Sequence, residues 1–175
     1  FQGKERKVYL TGEAYFKVAK NTEHPFVVTA GELEVLVTGT TFGVRAYKDE
    51  KDIQTTLESG QVTVRVEGKS VKLVPNKQVL FNKLTMGMEV RDVDVDLYLA
   101  WADGRLVYDN CPLEKILTDL GRWYNIDVFY SRDELRSYQF SLNMKKHEEF
   151  IQVLELIGKT GEVQFEVKDN TVIVR

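Results

Sequence analysis

The chain has 175 residues, 43% hydrophobic and 29% charged, which is enough apolar material for one or two packed cores and too much for a disordered chain. Its formal net charge is −3, and Lys and Arg are scattered rather than gathered into a basic stripe, which argues against a nucleic-acid partner. No apolar run approaches the roughly 18 residues of a membrane span, and a single cysteine, Cys111, excludes an internal disulfide and any CxxC-type metal or redox site.

Residues 1–3, FQG, read as the remnant of a cleaved affinity tag and are set apart from the fold. In a chain trimmed this way, missing targeting signals say little about the parent protein. Residues 4–95 then show a period of two. KVYLTG, EAYFKVA, FVVTAG, LEVLVTG, TFGVRAY, IQTTLESG, QVTVRVEG, SVKLVPN, KQVLFNKL and MEVRDVD follow one another, rich in β-branched and aromatic residues. About ten short strands at 8–12-residue spacing predict an all-β domain, a sandwich, barrel or roll. Val62, Val64 and Val66 share one face of their strand, and Leu33, Val35 and Val37 one face of theirs. Leu36 breaks the polar side of that second strand.

Residues 96–104 form a connector, and Trp101 within it is expected to be mostly buried as an anchor between the two halves. Residues 105–175 change pattern. LVYDNCPLEKILTDLGRWYNIDVFY, Leu106–Tyr130, and FSLNMKKHEEFIQVLELIGKTGEVQFEV, Phe140–Val167, align at a spacing of 34, the distance from Leu106 to Phe140. Each reads as strand–helix–strand. Asn110 is the expected N-cap of the first helix, with Pro112 in its first turn. Leu113, Ile116, Leu117, Leu120 and Trp123 or Tyr124 form its apolar stripe, and Asn125 its stop. In the second copy the stripe is Phe150, Ile151, Leu154 and Ile157, ended by Gly158 or Gly161. A hairpin turning at Asp169–Asn170 closes the chain. The expected order is β-α-β, β-α-β-β: a small α+β domain with two helices on one face of one mixed sheet.

Catalysis needs convergent groups, and the pattern offers none. His24, before Pro25, reads as loop surface; His147, in KKHEE, reads as the polar face of a helix start. Asp92, Asp94 and Asp96 alternate with valines as on an exposed strand face, without the glycine and distal glutamate of a calcium loop. GTTFG, Gly39–Gly43, lacks the Gly-Lys-Ser/Thr of a phosphate loop. Cys111 reads as a small half-buried residue at the strand-to-helix turn, the alternative being a reactive thiol. The expectation is no enzyme, no cofactor and no metal site.

TGEAYFKVAKNTEHPFVV (Thr11–Val28), EVLVTGTTFGVRAY (Glu34–Tyr47), TTLESGQVTV (Thr55–Val64) and AWADGRLVYDNCPLEKIL (Ala100–Leu117) resemble, in order, the blocks of FecR-type anti-sigma factors in the form abundant in Bacteroidetes. The departures are Cys111, where a polar or small residue is commoner, and Gly43, where a larger polar residue is usual. The resemblance implies the periplasmic part of a single-pass inner-membrane regulator, reaching the membrane only through a segment outside this chain. It implies a FecR β-domain followed by a domain similar to the secretin/TonB short N-terminal (STN) fold. The implied partners are the N-terminal signalling domain of a TonB-dependent outer-membrane transducer and, through a cytoplasmic region outside this chain, an extracytoplasmic-function sigma factor.

Two rival functions are weighed beside it: a carbohydrate-binding or structural β-domain of a surface polysaccharide system, and a cupin-like enzyme. A histidine cluster would favour the enzyme and is missing from the sequence. Exposed aromatics among Tyr15, Phe16, Phe42 and Tyr47 would favour sugar binding, although alternation places Phe42 inside. For the partner, the candidate docking edge is the last strand, Thr171, Val172, Ile173 and Val174, by strand addition, the alternative being an internal strand that completes the sheet.

Overall fold

The computed structural model describes residues 5–145 and 150–175. The chain divides into two compact units, Phe1–Leu99 and Ala100–Arg175.

The first unit contains ten strands: β1 (Arg6–Tyr9), β2 (Gly12–Lys17), β3 (Phe26–Ala30), β4 (Leu33–Val37), β5 (Thr41–Ala46), β6 (Asp52–Ser59), β7 (Val62–Val66), β8 (Lys69–Leu73), β9 (Lys77–Asn82) and β10 (Gly87–Asp92). They form two five-stranded sheets, β1-β3-β4-β7-β8 and β10-β9-β6-β5-β2. The sheets share one core and no strand, so the unit is a sandwich rather than a closed barrel. β1 and β3 pair in parallel and every other pair in the unit is antiparallel. The hairpins β3–β4, β5–β6, β7–β8 and β9–β10 go alternately to one sheet and the other. Most strands therefore turn one apolar side to the core, while β3 and β5 are buried on both faces. Val62, Val64, Leu33 and Val35 are wholly buried, with Val37 and Val66 nearly so. Leu36, on the opposite face, is half-buried.

A short helix, α1 (Asp96–Leu99), closes the unit. Leu99 lies against the outward face of β5 at Gly43, where an added Cβ would overlap the Leu99 Cδ2. That contact accounts for a glycine within the alternating strand. Gly60 is held differently: at φ +91 its missing Cβ would stand 2.7 Å from the Gly39 carbonyl oxygen, so conformation and space both demand glycine.

The second unit opens with a 3-10 turn, Ala100–Asp103, in which Trp101 is half-buried. There follow β11 (Arg105–Pro112), α2 (Leu113–Tyr124), β12 (Asp127–Tyr130), a second 3-10 segment (Asp133–Ser137), β13 (Gln139–Lys145), α3 (Phe150–Gly158), β14 (Phe165–Lys168) and β15 (Thr171–Val174). The element order β-α-β, β-α-β-β is as the pattern predicts, but the single mixed sheet is not. The strands form two sheets, β11-β13 and β12-β15-β14. The opening strands of the two stretches pair with each other, antiparallel, and Tyr108 and Leu142, which a spacing of 34 equates, are register partners. The closing strands β12 and β14 pair only through β15. Periodicity reports a strand's faces and not its neighbours, so this partition is invisible in the pattern.

Two local expectations also change. Asn110 does not cap α2. It adopts φ 43 where the register slips between Tyr108 and Cys111, and the strand runs on through Pro112. Pro112 holds the cap position without a side-chain bond, and the Leu113 N–H donates instead to the Tyr138 carbonyl at 2.7 Å. In α3, Ile151 is 39% exposed; Val153 takes its place beside Leu154 and Ile157, with Phe150 half-buried against the Tyr124 ring at 5.9 Å. Asn125 ends α2 in the left-handed conformation, as expected (φ 53, ψ 52).

Phe42 is the test of the sandwich core: fully buried and stacked on Phe16 at 5.1 Å. Phe42→Ala is expected to lower unfolding stability by about 3–5 kcal/mol, read from the midpoint of urea denaturation.

Candidate functional site

The sheet that carries the nominated docking strand is settled by its ladders. Gln164 and Arg175 exchange both backbone hydrogen bonds, at 2.8 and 2.9 Å. In an antiparallel pair such bonded pairs alternate with unbonded ones. Glu166/Ile173 and Lys168/Thr171 are therefore bonded, and Phe165/Val174 and Val167/Val172 are not. On the other side β12 runs parallel to β15, with the Asp127 N–H donating to Asn170 and the Ser131 N–H to Val174, both at 2.9 Å. Thus Thr171 and Ile173 serve β14 while Val172 and Val174 serve β12.

The expectation of a free edge at Thr171, Val172, Ile173 and Val174 is accordingly corrected. β15 is the middle strand, paired on both sides, with Val172 and Val174 fully buried. The alternative, an internal strand completing the sheet, is what the structure has. The outer strand beside it is β14, whose Phe165 and Val167 direct N–H and C=O away from β15. Val167 is 39% exposed, and Phe165 packs on the core of the unit. On the outward face Glu166 accepts from Lys168 at 2.7 Å and pairs with Arg175 at 2.5 Å. The Lys168 hydrogen bond, with the two nearby cations, holds the Glu166 carboxyl below the usual range. In the same cross-strand row, Ile173 sits between Glu166 and Phe129, and Phe129 is 61% exposed.

The second outer strand, β12, is less open, because the 3-10 segment Asp133–Ser137 packs against it. There the Arg136 guanidinium lies 4.1 Å from the centre of the Tyr130 ring and bridges to Glu114 at 2.9 Å. Burial pushes the Tyr130 phenol up to about 12, against the opposing pull of Arg136.

The remaining sequence candidates are dispersed. His24 is exposed, and its backbone carbonyl accepts from Arg6 at 2.9 Å. His147 lies outside the described residues. Asp92 pairs with Lys77 at 2.7 Å, and Asp94 accepts from the Asp96 N–H at 3.1 Å, capping α1. Thr40, in GTTFG, donates its hydroxyl to the Gln61 carbonyl at 2.8 Å. The aromatics of the sugar-binding alternative form no exposed row. Phe42 is core and Phe16 stacks on it, the Tyr15 hydroxyl donates to Glu58 at 2.5 Å, and the Arg45 guanidinium lies 4.9 Å from the Tyr47 ring centre. Among the described residues no group of three or more His, Cys, Asp or Glu could hold a metal ion.

Buried polar clusters also lie outside what the sequence pattern shows. Arg45, 7% exposed, pairs with Glu13 at 3.3 Å and with Glu50 at 2.5 Å. Its signal is a register, Glu13 opposite Arg45, that only the β2–β5 pairing reveals. Asp119, 3% exposed, accepts from the Tyr108 hydroxyl at 3.1 Å and from Lys115. The Lys115–Asp119 spacing of one helical turn was visible. Cys111 stands within β11, paired with Phe140, and is half-buried. Burial pushes its thiol up, outweighing the nearby Lys115 cation.

Residues 1–63 match the family model described as FecR protein, and residues 105–174 the model described as FecR, C-terminal. No curated protein matches the chain. Two crystal structures of a candidate anti-sigma factor from Parabacteroides distasonis share the fold. One has a TM-score of 0.85 at 23% identity, covering 100% of this chain and 82% of that one. The other has a TM-score of 0.84 at 23% identity, covering 99% and 81%. The FecR family is one of membrane-anchored sensors with a periplasmic region, regulatory rather than enzymatic, that act on sigma factors. No helix among the described residues is long and apolar enough to cross a membrane.

Two titrations test these environments. Cys111 is expected to react with iodoacetamide at neutral pH more slowly than a free thiol, because less of it is thiolate, and to approach the free rate in urea. Tyr130, raised from 10 to about 12 in the fold, favours the folded state fully below pH 10 and loses that contribution as the pH climbs from 10 to about 12. Denaturation midpoints across that window should therefore fall less steeply in Tyr130→Phe. With two FecR models matching in order over residues 1–63 and 105–174, the chain belongs to the FecR family, the FecR-type anti-sigma factors.

Proposed function

We propose that this chain is the periplasmic sensor part of an anti-sigma factor that receives its signal from the N-terminal signalling domain of a TonB-dependent outer-membrane transducer. Through a region outside this chain it then controls an extracytoplasmic-function sigma factor. Family membership supports the sigma-regulating role. The second unit, similar on this reading to the STN fold, takes the partner on the free edge of β14.

The observation that carries the docking site is the outward backbone of Phe165 and Val167 beside a fully paired β15. An incoming strand could bond to that edge without displacing any existing ladder. The partly exposed Val167 adds apolar contact at the same place.

Val167→Pro is the test, since its N–H points away from β15 and an edge strand tolerates proline there. The variant is expected to keep its circular dichroism spectrum and to bind the transducer's signalling domain at least tenfold more weakly by calorimetry. Unchanged affinity in the folded variant would remove this edge from consideration.

A further inference from the structure

The first unit contains a half-open pocket of about 260 Å³ at one end of its sandwich, lined by strand ends of both sheets and the turns beside them. Small side chains make the space. Ala30 on β3 and Ala46 on β5 both belong to the sandwich core, where neighbouring positions carry Val, Leu and Phe. Ile53 and Phe81, 3% and 1% exposed, line the interior. Leu10 and Met86, half-buried, form apolar walls. The volume exceeds the roughly 150 Å³ of an apolar cavity that takes up benzene.

The lining also holds charged groups. The Lys83 ammonium donates to the Tyr47 carbonyl at 2.6 Å and to the Glu50 carbonyl at 2.5 Å, and its backbone N–H to Lys51 at 3.0 Å. An ammonium has three donors, so one stays available while the other two fix its position. The turn that carries it is itself pinned, with the Asn82 side-chain oxygen accepting from the Thr85 N–H at 2.9 Å and the Leu84 N–H at 3.1 Å. Lys48 adds a second cation and Glu32 one anion, so the charged lining is cationic by one.

From this combination, an apolar hollow beside an ordered cation, we infer that the sandwich binds a small amphiphile: an aliphatic or aryl chain of about eight carbons with an anionic head. The chain lies in this pocket over Ile53 and Phe81, and the head accepts from Lys83. The site lies wholly in the first unit, and the inference is independent of the docking edge proposed for the second.

Sodium octanoate is the probe, titrated into the intact ¹⁵N-labelled chain and followed by amide shifts. Saturable shifts are expected at Ala30, Gly31, Ala46, Ile53 and Met86, with hexanoate binding about fifteenfold more weakly for its two missing methylenes. Ala46→Leu fills the hollow and is expected to abolish the response while melting no lower than the parent. Lys83→Met is expected to weaken octanoate about tenfold and to leave octanol unaffected. The inference is overturned by any of four results: no saturable shift, shifts centred outside these residues, undiminished binding in a folded Ala46→Leu variant, or octanol and octanoate weakened alike by Lys83→Met.

Discussion

The second unit is held together by its last strand. Thr171–Val174 supplies both ladders of the three-stranded sheet, odd residues bonding to β14 and even ones to β12, and its two inward valines are completely buried. Without β15 the closing strands of the two strand–helix–strand stretches would have no partner in that sheet. Each N–H and C=O left unpaired on burial carries a desolvation cost of about 1–3 kcal/mol. A strand so placed is structural, and a partner's backbone has to be met elsewhere. That elsewhere is the neighbouring outer strand, where the same alternation that satisfies β15 leaves Phe165 and Val167 facing outward.

In the first unit the corresponding constraint is one-sided burial. Hairpins sent alternately to two sheets give most of the strands one apolar side toward the core and one more polar side outward. The polar side is not idle. Arg91 reaches across to Gln78 at 2.9 Å, and Gln78 in turn donates to Thr56 at 2.7 Å, a cross-strand row on the outward face of one sheet. Where inward positions shrink to alanine, at Ala30 and Ala46, the same sandwich leaves a half-open pocket at one end.

Local periodicity carried the strand and helix inventory because it reports which side of an element faces a core. The alternation at Val62–Val66 and the stripe Leu113–Leu120 were both legible for that reason. Pairing was not. The nearest sequence neighbour of β14 is β15, but nothing in TVIVR says that β12, more than forty residues earlier in the chain, takes its other side. The start of α2 departs from its pattern for a related cause: its first N–H is satisfied by Tyr138, a residue distant in sequence, and the nearby Asn110 serves a bulge instead. Ile151 departs from the predicted stripe because α3 is apolar on more than one side, and only packing decides which side is covered. The buried Arg45 and Asp119 clusters likewise depend on registers and contacts that spacing alone does not reveal.

Residue-resolved amide hydrogen exchange, with and without the transducer's signalling domain, tests the central claim most directly. In the free chain the account predicts slow exchange throughout Val172–Val174 and an alternation on β14, with Glu166 and Lys168 slow and Phe165 and Val167 fast. Adding the partner should slow Phe165 and Val167 and leave β15 unchanged. Fast exchange at Val172 and Val174 in the free chain, or new protection that appears in β15 while β14 stays as it was, would contradict it.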